Sequence, residues 1–436
     1  MRRLLLPLLF LVTACGTGSA SGEKVPVVIG YQSKTINTVT AGTLLRDKGF
    51  FEQRLKELGK KTGKTYEVTW QDYDTGAPIT AQMIAGKIDI GSMGDFPLLI
   101  NGSRTQKQGE DGTRMLSVTG YNAKGGLNTV VVPPNSTAKT LADLAGQKVS
   151  ASVGSAGHGT LVRALGDVKV TVENQQPSVG ASALQSGNVA ALSQFVAWPG
   201  ALVFAKQAKV LFDGSALNLP TLHGVVVRNR FTQQQPDVVR EFLRAQLDAT
   251  KFLHEKPLEA AEIVAKATTL PVEVVYLYNG PNGVSTFDLS LKSVLRKALK
   301  EDVPFLKSIG NIEELDVDKF IDDQPLKDVI AGTEDLTNPA KIAAGEPATA
   351  SEVWFDGEAA PRPVATPTEL LKLINSEGKK VRTGYVPDTE LGTRWFADHV
   401  FWVNDNGKLL PFTTEAAAAR HGAVLTFEQA LAAAGK

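Results

Sequence analysis

One pattern occurs twice in this chain and restricts its fold more than any other feature. The first copy is Gly86-Lys-Ile-Asp-Ile-Gly-Ser-Met-Gly-Asp-Phe-Pro97. A helical segment, Ile79 to Ala85, runs into Gly86. A short strand covers Ile88 to Gly91, and a loop from Ser92 to Asp95 opens a new helix at Phe96-Pro97. Asp95 has an N-cap side chain, and Pro97 suits a first helical turn. The second copy, Gln185 to Pro199, aligns Gly86 with Gly187 and Ile88 with Val189. It aligns Pro97 with Pro199 at one residue of offset. A strand that ends in small residues and feeds a helix N-terminus is where an open α/β sheet places its ligand. The free N–H groups there suit an anion. Two copies about a hundred residues apart imply two similar α/β lobes, and a cleft between lobes is a preferred small-molecule site.

The intervening chain fits this plan. Val25 to Tyr31 reads as a buried strand, and Thr38 to Lys48 as a helix stopped by Gly49. Tyr66 to Tyr73 is a second strand with the exit loop Thr75-Gly76-Ala77-Pro78. This alternation predicts a parallel α/β sheet. Farther on, the strand Gln147 to Ser152 leads into the glycine-rich loop Val153 to Gly159, ahead of a helix over Thr160 to Leu165. That loop is a second candidate anion cradle. It is no phosphate-binding P-loop, because no Gly-Lys-Ser/Thr follows. Amphipathic helices are expected over Gln235 to Leu253, Pro257 to Ala267, Leu289 to Leu299 and Val317 to Ile330. The resulting layout is lobe I at 25–118 and 224–331, lobe II at 119–223, and a linker at 332–351. A small C-terminal α+β domain follows at 352–436.

The N-terminus reads as an export signal. Arg2 and Arg3 precede a short apolar run, Leu4 to Val12, which is too short to span a bilayer as a helix. It ends in Val12-Thr13-Ala14-Cys15, which resembles the bacterial lipobox. The resemblance implies a signal peptide over 1–15, lipidation of Cys15, a tether over 16–24 and a membrane lipid anchor. Cys15 is the only cysteine, so no internal disulfide is expected. The 46 basic and 46 acidic residues balance to zero formal charge, which argues against a nucleic-acid partner.

Several motifs resemble the substrate-binding lipoproteins of ABC importers, in the aliphatic sulfonate, taurine and nitrate group. They are Ile29-Gly30-Tyr31-Gln32, Gly49-Phe50-Phe51, the Gly86 to Pro97 segment, Leu141-x-Asp143-Leu144-x-Gly146-x-Lys148-Val149, Gly154-Ser155-x-x-His158, and Trp198-Pro199. The match covers roughly residues 25 to 330. It implies a two-lobed periplasmic-binding-protein fold that closes by a hinge. It also implies a small organic anion as ligand and the ABC permease subunits as partner. The family's Val-Asp-Ala-Trp stands here as Val189-Ala190-Ala191-Leu192, and its Trp-Asp-Pro as Ala197-Trp198-Pro199. The tail weakly resembles copper-chaperone-like accessory lipoproteins of nitrous oxide reductase assembly. It carries that resemblance through Phe355-Asp356-Gly357, Arg394-Trp395 and His421-Gly422. Cu(I) calls for soft Cys or Met ligands, and the tail has neither. It therefore reads as a module without the metal.

The expected ligand contacts are Gln32 at the first strand's exit, Gly76, the Gly94-Asp95 loop, and Ser155, His158 and Gly159 of the glycine-rich loop. Trp198 is expected over the ligand's organic part, and Asp95 holds its loop more than it touches an anion. His223 reads as structural. No Gly-x-Ser-x-Gly elbow sits in a strand–helix context and no His-Glu-x-x-His occurs. The chain is therefore expected to be a monomeric carrier with no catalytic residues, metal or cofactor. A ligand-sensing lipoprotein and a metal-handling accessory protein remain as alternatives.

Overall fold

A computed structural model describes residues 23–330 and 351–435. Cys15 and its lipobox, most of the tether, and all of the expected linker but Ser351 lie outside the described residues. Two sheets carry the first three hundred residues. One runs β11-β4-β10-β3-β1-β2, from β1 (Lys24–Tyr31), β2 (Thr65–Asp72), β3 (Ile90–Gly94), β4 (Thr113–Asn122), β10 (Thr221–Arg228) and β11 (Thr286–Phe287). The other runs β7-β6-β8-β5-β9, from β5 (Asn128–Val132), β6 (Lys148–Ala151), β7 (Thr171–Asn174), β8 (Ala191–Phe195) and β9 (Lys209–Asp213).

The two sheets repeat one plan. β1 lies parallel between β2 and β3, as β6 lies parallel between β7 and β8. β10 then pairs antiparallel with both β3 and β4, as β5 does with both β8 and β9. The duplicated segments occupy matching places. Helix Gly76–Ile84 ends at Gly86 and helix Pro177–Gln185 ends at Gly187, both glycines left-handed with φ near 71° and 73°. Lys87 N–H then reaches Gln82 O at 2.8 Å, and Asn188 N–H reaches Ala183 O at 2.9 Å. This is the helix stop that a side chain at the glycine would strain. The chain crosses between the sheets twice, from β4 to β5 and from β9 to β10, which is the two-lobed arrangement with a hinge.

Local boundaries differ from the sequence reading at two functional places. β3 continues through Gly94 because its residues ladder with β10, Ser92 with Val225 and Gly94 with His223. Helix Asp95–Thr105 therefore starts with Gly94 as its N-cap, and Asp95 is its first residue and not its cap. The glycine-rich loop is also shorter than expected. Ser155 Oγ accepts from His158 N–H at 3.2 Å, which starts helix Ala156–Leu165 and puts His158 and Gly159 in its first turn.

The tail forms two further sheets. One is β13-β12-β14-β15, from β12 (Ser351–Phe355), β13 (Arg362–Val364), β14 (Val381–Pro387) and β15 (Arg394–Phe396). The other is β17-β16-β18, from β16 (Phe401–Asp405), β17 (Lys408–Phe412) and β18 (Val424–Leu425). This module shares one apolar core with the lobes: Phe355, Tyr385 and Phe396 lie in the same buried cluster as Leu127, Leu202 and Tyr276. It docks where the chain crosses between the sheets. Trp395 Nε1–H donates to Asp213 Oδ2 at 3.2 Å, Thr393 Oγ1 to Ser215 Oγ at 2.8 Å, and Lys124 Nζ to Leu391 O at 3.0 Å. It also holds helix Val272–Asn279, where the Tyr385 hydroxyl donates to Glu273 O at 3.0 Å. Buried Asp213 has its carboxyl pushed up to about 6, chiefly by burial and further by Asp388, against the hydrogen bonds from Ser215 and Trp395.

Candidate functional site

A cavity of about 130 Å³ lies between the two main sheets. It sits at the carboxyl ends of their parallel strands, the place an open α/β sheet offers a ligand. Gln32 follows β1 and Gly94 ends β3. On the facing side Ser152 follows β6, Asn174 ends β7 and Phe195 ends β8. Three helix starts complete the wall: Thr75-Gly76-Ala77 on one lobe, Ser155-Ala156 on the other, and Gln176 ahead of Pro177. Neither the Gly76 helix nor the Pro177 helix has a side-chain cap. The Gly76 and Ala77 N–H groups therefore face the cavity without a side-chain partner, while the second helix opens on Pro177, which has no N–H, and contributes its dipole; both helix ends favour a negative ligand.

No Asp, Glu, Lys or Arg lines the cavity, and its one titratable residue is His223. Burial pushes His223 down to about 3, so its imidazole is neutral at physiological pH. The site thus offers neutral dipoles and no countercharge. Its two serine hydroxyls serve the scaffold: Ser152 Oγ donates to Gln175 O at 2.8 Å, and Ser155 Oγ caps its helix. Among the described residues no cluster of three or more His, Cys, Asp or Glu is placed to hold a metal.

Of the residues expected from sequence, Gln32, Gly76, Gly94 and Ser155 line this cavity. Gln32 is held by its Nε2–H donating to Ser92 O at 3.1 Å. Asp95, His158, Gly159 and Trp198 are not among the lining residues. The Asp95 carboxylate turns inward and accepts from Phe96 N–H at 2.8 Å and Leu222 N–H at 3.1 Å, which ties its helix to β10. Burial, and then the Asp302 charge, raise its pKa. The His158 ring folds back on its own loop and accepts from Gly154 N–H at 3.4 Å. Burial lowers its pKa. Gly159 meets Phe96 across the lobes. Trp198 opens helix Trp198–Phe204 with Lys34 Nζ 5.4 Å from its ring centre. Cys15 lies outside the described residues.

Sequence reasoning missed Thr75, Asn174, Gln176, Phe195 and His223. Applying the strand-end rule to β7 and β8 would have found Asn174, Gln176 and Phe195. His223 had no such signal, because its place opposite Gly94 follows from the β3–β10 register.

The lobes also touch beside the cavity. Arg163, on the Ala156 helix, pairs with Asp302 of helix Ser293–Ser308 at 2.7 Å, and its guanidinium lies 4.1 Å from the Phe305 ring centre. Burial raises the Asp302 pKa and Arg163 opposes this.

Comparisons with known proteins agree with this architecture. A family model described as "NMT1/THI5 like" matches residues 67–260. A Bacillus subtilis (strain 168) protein, provisionally named an aliphatic sulfonates-binding protein, is 27% identical over 280 residues, covering 62% of this chain and 79% of that one. The taurine-binding periplasmic protein of Escherichia coli (strain K12) is 25% identical over 303 residues, covering 65% and 90%. The alkanesulfonate-binding protein of Xanthomonas axonopodis pv. citri, solved bound to MOPS, superposes with a TM-score of 0.56. It does so at 21% identity over 67% of this chain and 96% of that one. The resemblance read from the sequence motifs therefore stands, and the fold is that of the periplasmic binding proteins, with the C-terminal sheets added.

Proposed function

We propose that this chain, similar to binding proteins for sulfonates and taurine, is the extracytoplasmic solute-binding component of an ABC importer. It captures a small organic anion between its lobes and delivers it to the permease. An aliphatic sulfonate or taurine is the first candidate and a nitrate-like anion the next. Cys15 supplies the lipid anchor, and the protein acts as a monomer without catalysis. One observation carries the reading: an uncharged cavity at the strand ends of both lobes, faced by uncapped helix starts from each. Such a site suits an anion that stays ionised across physiological pH and needs only N–H donors, as a sulfonate does. Phe195, at the end of β8, gives the organic part an apolar wall.

The test is thermal stability of the soluble form, from Ser21 on, against ethanesulfonate, taurine, nitrate and small carboxylates. A ligand at a hundred times its dissociation constant stabilises by about 2.7 kcal/mol. A shift with a sulfonate supports the carrier and names its substrate class. A shift only with a neutral or cationic solute would discard the anion.

A further inference from the structure

We infer that His223 is a specificity-determining contact of this cleft, a neutral imidazole locked by Asn37 with its proton on Nε2 and donating to an oxygen of the bound anion. This rests on the anion-carrier reading. Three observations lead to it. His223 lines the cavity and is only 3% exposed. Its Nδ1 lies 2.6 Å from Asn37 Nδ2, an amide nitrogen that can only donate. With the Asn37 amide in this orientation Nδ1 is the acceptor, and a neutral ring carries its proton on Nε2. Among the described residues nothing bonds Nε2. That edge faces Gly94, where an added β-carbon would stand 3.1 Å from Nε2 and 3.3 Å from Cε1. The absent side chain at Gly94 thus leaves the N–H edge uncovered. Asn37 is fully buried in the turn Ile36–Ala41, and the tautomer it selects is set before any ligand arrives. Asn37 is a positioning residue; His223 is the contact.

The chemistry selects an acceptor. A donor fixed in this way rewards an oxygen with no proton, as in a sulfonate. It disfavours a group that would present its own proton to this edge, such as the P–O–H of a phosphonate monoanion, because two donors would then face each other. A site built around a fixed hydrogen-bond role discriminates strongly because the wrong partner leaves buried polar atoms unpaired.

The experiment measures ethanesulfonate and methylphosphonate binding by calorimetry to the wild type, His223→Gln and His223→Leu. It also follows the 15N-labelled imidazole by NMR. Glutamine keeps an N–H near the Nε2 position and is expected to hold ethanesulfonate affinity within about threefold. Leucine is expected to lose about 10- to 100-fold, the range for a hydrogen bond to a charged group. The wild-type spectrum is expected to show the Nε2–H tautomer without ligand and a downfield Nε2 proton on adding ethanesulfonate. In Asn37→Asp, whose carboxylate only accepts, a proton is expected at Nδ1. Its absence there would overturn the role of Asn37. Equal affinity of wild type and His223→Leu overturns the assignment alone. Should His223→Leu fail to fold, an Nε2 proton unmoved by ethanesulfonate overturns it equally. No anion binding by the wild type overturns the carrier reading, and this assignment with it.

Discussion

The Phe96 ring of one lobe occupies the space that Gly159 of the other lobe leaves empty. A β-carbon on Gly159 would stand 1.8 Å from Phe96 Cε2 and 2.3 Å from Cζ. Both residues are buried, and Phe96 belongs to the first lobe's core. The lobes thus meet on a ring in a notch. The glycine that sequence reading assigned to the anion occupies this seam.

Gly159→Ala is expected to hold the lobes apart. Overpacking of this kind costs about 1–3 kcal/mol, and here opening relieves it more easily than unfolding does. Small-angle scattering should show a larger radius of gyration, and ethanesulfonate affinity should fall about 10- to 100-fold. Unchanged scattering and affinity would show that this seam is not what limits closure.

Arg163→Ala leaves Asp302 without its cation in a space it shares with buried Asp95. Removing one partner of a buried pair costs about 3 kcal/mol. The Arg163 side chain is 19% exposed, which places the expected loss at or below that figure. Burial already raises both acids, so they take up protons more readily than free carboxyls. The deficit should therefore be largest at pH 8 and shrink at pH 5, as read by urea denaturation. A deficit that grows on acidification would contradict this electrostatic account.

His223 also writes a signature on stability. Its folded pKa is near 3, against about 6.5 in the unfolded chain, so the unfolded state takes the proton first. The contribution is fully present above about pH 6.5 and is lost as pH falls toward 3, by about 1.36 kcal/mol per pH unit. The raised carboxyls Asp95, Asp213 and Asp302 give the opposite slope, so the comparison is between variants. His223→Gln is expected to lose less stability than the wild type between pH 6.5 and 4.5. Parallel profiles would place the imidazole in contact with water.

Trp395→Phe keeps an aromatic ring, though a smaller one, and removes the N–H that the C-terminal module gives to Asp213. A hydrogen bond to a charged acceptor is worth about 1.5–3 kcal/mol. The full loss should appear above pH 7 and diminish below about pH 6, where Asp213 takes up its proton. A melt that loses the C-terminal module first, followed by near-UV circular dichroism, would locate the effect at this contact. An unchanged melt would mean that the indole bond contributes nothing to docking.

Local chemistry made much of the architecture readable. Gly86 and Gly187 stop helices by the same left-handed turn, and each is followed by an apolar strand and a proline in the next helix's first turn. Helix stops, strand periodicity and caps depend on neighbours within a few residues, so the sequence by itself determined the duplicated lobes and the strand ends that border the cavity. It placed Gln32, Gly76, Gly94 and Ser155 near that site for the same reason. Which side chains face the cavity was decided only by the tertiary structure. Asp95 turned away because Leu222, distant in sequence, brings an N–H to it. Gly159 became a seam because Phe96 arrives from the other lobe. His223 faces the cavity because β10 pairs with β3 in a register that sets it opposite Gly94. The C-terminal module docks beside the crossovers through Asp213, Ser215 and Lys124, contacts that close over spans of 150 residues or more. Such contacts depend on how two sheets and an added module meet, and local sequence preferences carry no record of that meeting.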